Sequence, residues 1–322
     1  MNCLPLSLNR RQAGALLAVA WSGRVTAAER RIVYLSAKQD LPFWSTVGRG
    51  VRSVALAQGF GFVELDSQLK AEVQLENARR AIQDKAAGLV ISPVDSQSAP
   101  AVLDLARKAK VPVVIADIGT TAGDYATYVK SDNYRGAFDT GSALAQALKD
   151  RGWQQAPHAL ITISLARKNG QDRTNGFRDA FKEAGLGKEV ALRQMQDYSA
   201  AETQRYVAEL LAQHPQLRAL FIQTDQPVAG ALQALKAAGR SGEVLIASFD
   251  AMPEVEALLT HGTLVAVGMQ QPHLMGQRAA EALLSALRGE RPPKQVLVPI
   301  MVGTGKNISN LMPQVNKQVF GR

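Results

Sequence analysis

From Arg31 onward, short apolar runs alternate with longer stretches whose apolar residues recur at helical spacing. That alternation constrains the fold more than any other feature, because a strand–helix–strand repeat rejoins one sheet through parallel pairing and right-handed crossovers. Ile32–Leu35, Phe62–Leu65, Gly88–Ile91 and Val111–Ile115 read as the first strands. Between them, a helix over Trp44–Gln58 sets Val47, Val51, Val54 and Ala55 on one face. A second helix turns Leu75, Ala78 and Ile82 inward, and a third runs from about Ser98 to Ala109. After the short strand Tyr128–Lys130 the pattern begins again. Strands are predicted at Ala159–Ile163, Val190–Met195, around Leu220, at Val244–Ala247 and at Leu264–Val267, each separated by a helix. One of these helices is expected over Pro253–Leu259. Two α/β units in series follow from the pattern.

The remainder is too short for a third domain. A helix over about Pro272–Arg288 and a strand near Val296–Ile300 must complete the existing sheets. The chain therefore crosses between the two units more than once.

Length and charge narrow the class. The chain has 322 residues, is 46% hydrophobic and 20% charged, and carries a net charge of +9, an ordinary globular composition for two domains. Its basic residues are scattered without interleaved aromatics, which disfavours nucleic-acid binding. Arg10-Arg11, the apolar run Ala13–Trp21 and the small residues Val25–Ala28 form the three regions of an export signal over residues 1–28. Cleavage is expected after Ala27 or Ala28, by the Sec or the twin-arginine route, and would leave a periplasmic protein. Removal of three arginines brings the mature charge from +9 to about +6. Cys3, the only cysteine, leaves with the signal, so no disulfide or cysteine metal ligand is expected. The four histidines are far apart and propose no metal site. Neither Gly-x-Ser-x-Gly, His-Glu-x-x-His nor a phosphate-binding glycine loop is present, which argues against an enzyme.

Asp225-Gln226-Pro227 stands where an apolar strand gives way to a helix. That edge of an open α/β sheet is where ligands are held. Taken alone, the stretch reads more simply as an N-cap aspartate. Polar residues recur at similar junctions: Asp40-Leu41-Pro42-Phe43-Trp44, Leu65-Asp66-Ser67-Gln68, Ile91-Ser92-Pro93-Val94-Asp95, Ser131-Asp132-Asn133, Arg173-Thr174-Asn175-Gly176-Phe177, Gln223-Thr224-Asp225, Ser248-Phe249-Asp250 and Gln270-Gln271-Pro272. In this order the chain resembles the ribose- and galactose-type periplasmic binding proteins, solute receptors of ABC importers, over about Arg31 to Val302. The resemblance implies two doubly wound parallel-sheet lobes joined by a three-strand hinge. Residues 29–131 with 272–299 would form one lobe, and 132–271 with 300–322 the other.

The resemblance also implies the ligand contacts. Phe43 and Trp44 would face a sugar ring, Asp117 would accept hydroxyl bonds from the first lobe, and Arg173 would donate a planar fork from the second. Tyr198 would be the second aromatic wall; Thr224, Asp225, Asp250 and Gln270 would complete the polar ring. Asp250 and Gln270 are expected beside the second and third crossings. Plainer alternatives are core packing for Phe43 and Trp44, a solvated Arg173, a helix cap at Asp250 and a surface position for Tyr198.

Four positions depart from the ribose-type pattern. Leu41, Ser92 and Thr224 stand where asparagines are usual, and Ile118 stands where an arginine is usual. Each lost partner leaves a ligand polar group unpaired at about 1–3 kcal/mol. The expected ligand is therefore a different polyol, a deoxy or modified sugar, or a smaller solute with an acidic or amide group facing Arg173. The partners implied are that sugar-like ligand and an inner-membrane ABC permease, or a periplasmic sensor kinase, with the receptor a monomer and no cofactor. A LacI-type repressor shares these lobes, but the first 30 residues read as a signal, not a helix-turn-helix headpiece.

Overall fold

The computed structural model describes residues 30–322. The export signal at 1–28, with Cys3, Arg10-Arg11 and the cleavage site at Ala27 or Ala28, lies outside the described residues. In the first half, β1 (Arg31–Ser36), α1 (Pro42–Ala57), β2 (Gly61–Asp66), α2 (Ala71–Gln83), β3 (Gly88–Ile91), α3 (Ala99–Lys108), β4 (Val113–Ala116) and β5 (Thr127–Ser131) alternate as predicted. The second half repeats the alternation with α4 (Asn133–Asp150), β6 (His158–Thr162), α5 (Lys168–Glu183), β7 (Glu189–Gln194), α6 (Ala200–Gln213), β8 (Ala219–Ile222) and α7 (Val228–Ala237). It continues through β9 (Leu245–Phe249), α8 (Val255–Thr260), β10 (Ala266–Met269), α9 (Pro272–Leu287), β11 (Gln295–Val298), β12 (Met301–Gly303) and α10 (Ile308–Gln314).

Two six-stranded sheets result, in the orders β11-β5-β4-β3-β1-β2 and β12-β10-β9-β8-β6-β7. Pairing is parallel except between β10 and β12. The two α/β units expected from the periodicity are present, each doubly wound as the resemblance implied. Three segments cross between the sheets: β5 to α4, β10 to α9, and β11 to β12.

The central strands are apolar on both faces because helices cover both. Ile32, Tyr34, Val90 and Val114 pack with α1 and α9 on one side of the first sheet. Val33, Leu35, Leu89 and Ile91 pack with α2 and α3 on the other. Each such side chain, fully removed from water, contributes roughly 1.5–3 kcal/mol. On one face of each sheet, the paired helices approach closely at glycines. A Cβ on Gly276 of α9 would lie 2.0 Å from the Val47 carbonyl oxygen of α1. One on Gly176 of α5 would lie 2.2 Å from that of Tyr134 of α4.

Several boundaries differ from expectation. The strand expected over Val296–Ile300 is two strands in different sheets, β11 and β12, divided at Pro299-Ile300. Pro299 lacks the N–H that would continue the ladder. β10 lies two residues later than predicted, and α8 begins at Val255, not Pro253. Beyond β12, where no element was expected, α10 leads into a π-helical turn at Val315–Val319.

Candidate ligand-binding cleft

Loops at the carboxyl ends of strands from both sheets face one another across a cavity of about 660 Å³. This is the edge at which open α/β sheets hold ligands. Phe43, Trp44, Asp117, Arg173, Tyr198, Thr224, Asp225, Asp250 and Gln270 all line it.

On the first lobe, Pro42 starts α1 and delivers two aromatics. The rings of Phe43 and Trp44 meet edge to face, centroids 6.2 Å apart. Phe43 lines the cavity and also packs against the first sheet's core, as its plainer reading had it. Trp44 Nε1 donates to Asp117 Oδ2 at 3.1 Å. Asp117 follows β4 with φ at 72°, and Tyr128 holds its carbonyl with a hydroxyl donor at 2.8 Å. A left-handed backbone is strained for a residue with a Cβ, least so for Asp and Asn.

On the second lobe, Arg173 is 2% exposed, which removes the solvated-helix reading. Its Nε donates to Asn133 Oδ1 at 2.8 Å and its Nη1 to the Gln223 carbonyl at 2.7 Å. Nη1 also lies 3.5 Å from Asp250 Oδ2, and the guanidinium stacks 4.0 Å from the Phe249 ring centroid. The fork is thus largely engaged within its own lobe. Asp250 compensates its charge.

Asp250 does not cap α8, whose cap position is Glu254; it accepts from Gln270 Nε2 at 2.7 Å instead. Gln270 flanks the second crossing rather than the third, and Asp250 flanks none, because it simply ends β9. Asp225 is not the side-chain cap of α7 either: Pro227 holds that place, and the Asp225 carboxylate accepts from the Thr224 hydroxyl at 3.2 Å. Tyr198 is half-buried with φ at 61°, and its hydroxyl accepts from Ser164 N at 3.2 Å.

Burial sets the electrostatics. It pushes the Asp117 carboxyl up to about 6, against the pull of Arg173 and the Trp44 hydrogen bond. Burial also raises Asp225, with Asp250 adding repulsion. It draws Arg173 down, opposed by Asp250 and Asp117. Three carboxylates therefore surround one buried guanidinium. Gln270 Oε1 is buried with no hydrogen-bond partner among the described residues.

Of the departures, Leu41, Ile118 and Thr224 line the cavity. Ser92 does not: its hydroxyl pairs with that of Tyr34 at 2.8 Å inside the first lobe. Sequence reasoning missed Arg167, Asn169 and Phe320, which also line the cavity. The β6-to-α5 junction was a signal for the first two; nothing flagged Phe320. Among the described residues no cluster of three or more His, Cys, Asp or Glu could hold a metal ion.

The family described as periplasmic binding protein domain matches residues 32–291. The ribose import binding protein of Salmonella typhimurium is 29% identical over 277 residues, 85% of this chain and 91% of that protein. A periplasmic solute binding protein from Actinobacillus succinogenes with bound D-allose superposes with a TM-score of 0.80 at 20% identity, covering 87% of this chain and 99% of that one. A carbohydrate transporter solute binding protein from Agrobacterium radiobacter, in complex with D-arabinose, gives 0.80 at 23% identity, covering 91% and 99%. With the family match spanning both sheets and the fold shared by both solved structures, the chain belongs to the periplasmic binding protein domain family.

Proposed function

We propose that this chain is a periplasmic receptor which captures a small, sugar-like ligand by lobe closure and delivers it to an ABC importer. One observation carries the reading: a single cavity is ringed by aromatic and acidic groups of one lobe, Trp44 and Asp117, and by the Arg173–Asp250–Gln270 set of the other. Only closure brings both sets onto one ligand. The closing bodies are residues 29–131 with 272–299 and residues 132–271 with 300–322, after removal of the export signal, acting as a monomer. The names of the relatives, a ribose importer receptor among them, favour import over docking on a sensor kinase. The role assigned is binding, not catalysis.

The charge pattern selects among ligands. Asp117, Asp225 and Asp250 are acceptors, whereas Arg173 is already paired. A carboxylate on the ligand would meet Asp250 beside Arg173 and be repelled. A neutral polyol or sugar whose hydroxyls donate to the carboxylates fits better. The apolar Leu41 and Ile118 leave the first lobe fewer hydrogen bonds to offer than a ribose-type site has.

A thermal-shift screen of D-ribose, D-allose, D-arabinose, inositols and sugar acids on the mature protein tests this. A ligand at a hundred times its Kd adds about 2.7 kcal/mol of apparent stability. A neutral sugar or polyol that raises the melting temperature and shrinks the radius of gyration in small-angle scattering supports the reading. Absence of any shift across the panel, or preference for a sugar acid, counts against it.

A further inference from the structure

Past β12 the chain touches both lobes. Val315 and Val319 of the π-helical turn are buried in the core of the second sheet. The chain then turns onto the other lobe: the Phe320 carbonyl accepts a hydrogen bond at 2.8 Å from Nη2 of Arg49, a residue of α1. Gly321, at φ 66°, lies against the first turn of α9, so close that a Cβ would come 2.8 Å from the His273 ring. Outside the three crossings, the Arg49–Phe320 bond is the one side-chain hydrogen bond between the lobes among the described residues.

Its position decides its mechanical sense. Val319, Phe320 and Arg322 line the cavity together with Arg49, so this link stands on the cleft side of the crossings. A contact there is pulled apart when the lobes open; one on the back of the hinge would be pulled apart by closing. A π-helical turn is rare, costs regular hydrogen bonding and is found frequently at functional positions. Here it joins the anchored valines to the residue that crosses.

We infer that residues 315–322 form a strap that ties the lobes together on the cleft side of the hinge, resists their opening in the ligand-free protein, and presents Phe320 as a further wall of the ligand cavity. The wall rests on the ligand-binding reading above; the restraint on opening does not. A restraint that favours the closed arrangement lowers the cost of closure that a ligand must otherwise meet.

The restraint is tested without ligand. Arg49→Met removes the donor while leaving both cores intact, and a chain ending at Val319 removes the crossing part while keeping the anchoring valines. Both are compared with Arg52→Met, an exposed arginine on the same helix. Expected is a larger radius of gyration in small-angle scattering for the first two variants, with parent-like scattering for Arg52→Met. In Arg49→Met, amide exchange over residues 315–322 is expected to quicken at least tenfold. Scattering and exchange equal to the parent in Arg49→Met, or parent-like scattering in the shortened chain, overturn the restraint. For the wall, Phe320→Ala is titrated with D-ribose, D-allose, D-arabinose and the inositols of the thermal-shift panel. A loss of about three- to tenfold in affinity is expected for whichever binds. Unchanged affinity overturns the wall alone, and no binding of any of these by the parent removes it together with the ligand reading.

Discussion

Gln270 Nε2 donates to Asp250 Oδ1 at 2.7 Å, tying the second crossing between the lobes to the acid that faces Arg173. The hinge and the charge pair in the cleft are therefore one unit, and a shift at position 270 is transmitted to the Asp250 carboxylate.

Asp250→Asn leaves the buried Arg173 without its nearest counter-charge. Uncompensated buried charges cost about 3–5 kcal/mol, and since Asp250 is partly open to the cleft, a loss near the low end, about 3 kcal/mol, is expected. Urea unfolding of the ligand-free protein measures it. A loss below about 1 kcal/mol would mean that Asp117 and Asp225 suffice to balance the guanidinium.

Arg173→Ala is expected to weaken binding of the screened ligand by about 1.5–3 kcal/mol, since Asp250 and Asn133, which it holds beside the cavity, are left unpaired. Arg173→Lys keeps the charge but not the planar fork that reaches Asn133 and Gln223 together. It is expected to recover less than half of the loss in calorimetric titration. Parent-like affinity in Arg173→Ala would detach this residue from ligand binding.

Leu41 and Ile118 both face the cavity, on the lobe that carries the aromatics. Leu41→Asn combined with Ile118→Arg restores two hydrogen-bonding groups and is expected to raise affinity for D-ribose at least tenfold over the parent. Competition titration against the best ligand of the parent checks the direction.

The pH response has two opposite parts. Asp117 is pushed up to about 6 by burial, above its ordinary value, so the fold prefers its protonated form. Its contribution to stability is complete below the ordinary carboxyl range and is lost as pH rises through about 6. Glu64, pushed up to about 7 by burial, acts in the same direction. Ligand hydroxyls need the ionised Asp117, so affinity is expected to rise over the same window, by up to tenfold per pH unit below 6. Melting temperatures from pH 4 to 8, with and without ligand, separate the two, and Asp117→Asn is expected to flatten the affinity profile.

The fold was legible because both faces of the central strands are covered: the apolar runs of β3, β4 and β8 are continuous and cannot be mistaken for exposed edges. The nine cleft residues came from the family resemblance; most of them stand where a strand gives way to a loop or helix at one sheet edge, whereas Arg173 lies inside α5. Less legible was what those side chains do. Asp225 and Asp250 look like helix caps, and only the approach of Arg173 from α5 and Gln270 from the crossing shows Asp250 in a charge network. Ser92 reads as a departure within the cleft, and its place inside the first lobe is hidden because its hydroxyl partner, Tyr34, lies 58 residues away. The 304–322 stretch went unread although Ile308, Leu311, Val315 and Val319 recur at three- and four-residue spacing, because Pro313 stands inside the run and argues against a helix there.

Gly276→Ala is expected to cost about 1–3 kcal/mol, as overpacking does when the obstructing atom is backbone. A Cβ would sit 2.0 Å from the Val47 carbonyl, so α1 and α9 must separate. Thermal unfolding is the measurement; a neutral result would show that the two helices are not held at contact distance.

Asp117, Tyr198 and Asp250 all sit in the left-handed region, at φ 72°, 61° and 67°. That conformation is uncommon for residues with a Cβ and most strained for β-branched ones. Substitution at these three positions therefore carries a backbone cost of its own, greatest for Val, Ile and Thr, whatever the ligand. Leu41, Ile118 and Thr224, which line the same cavity, have no such restriction. A cleft of this build acquires new tastes at its conformationally ordinary positions, and a library aimed at a new solute is best spent there.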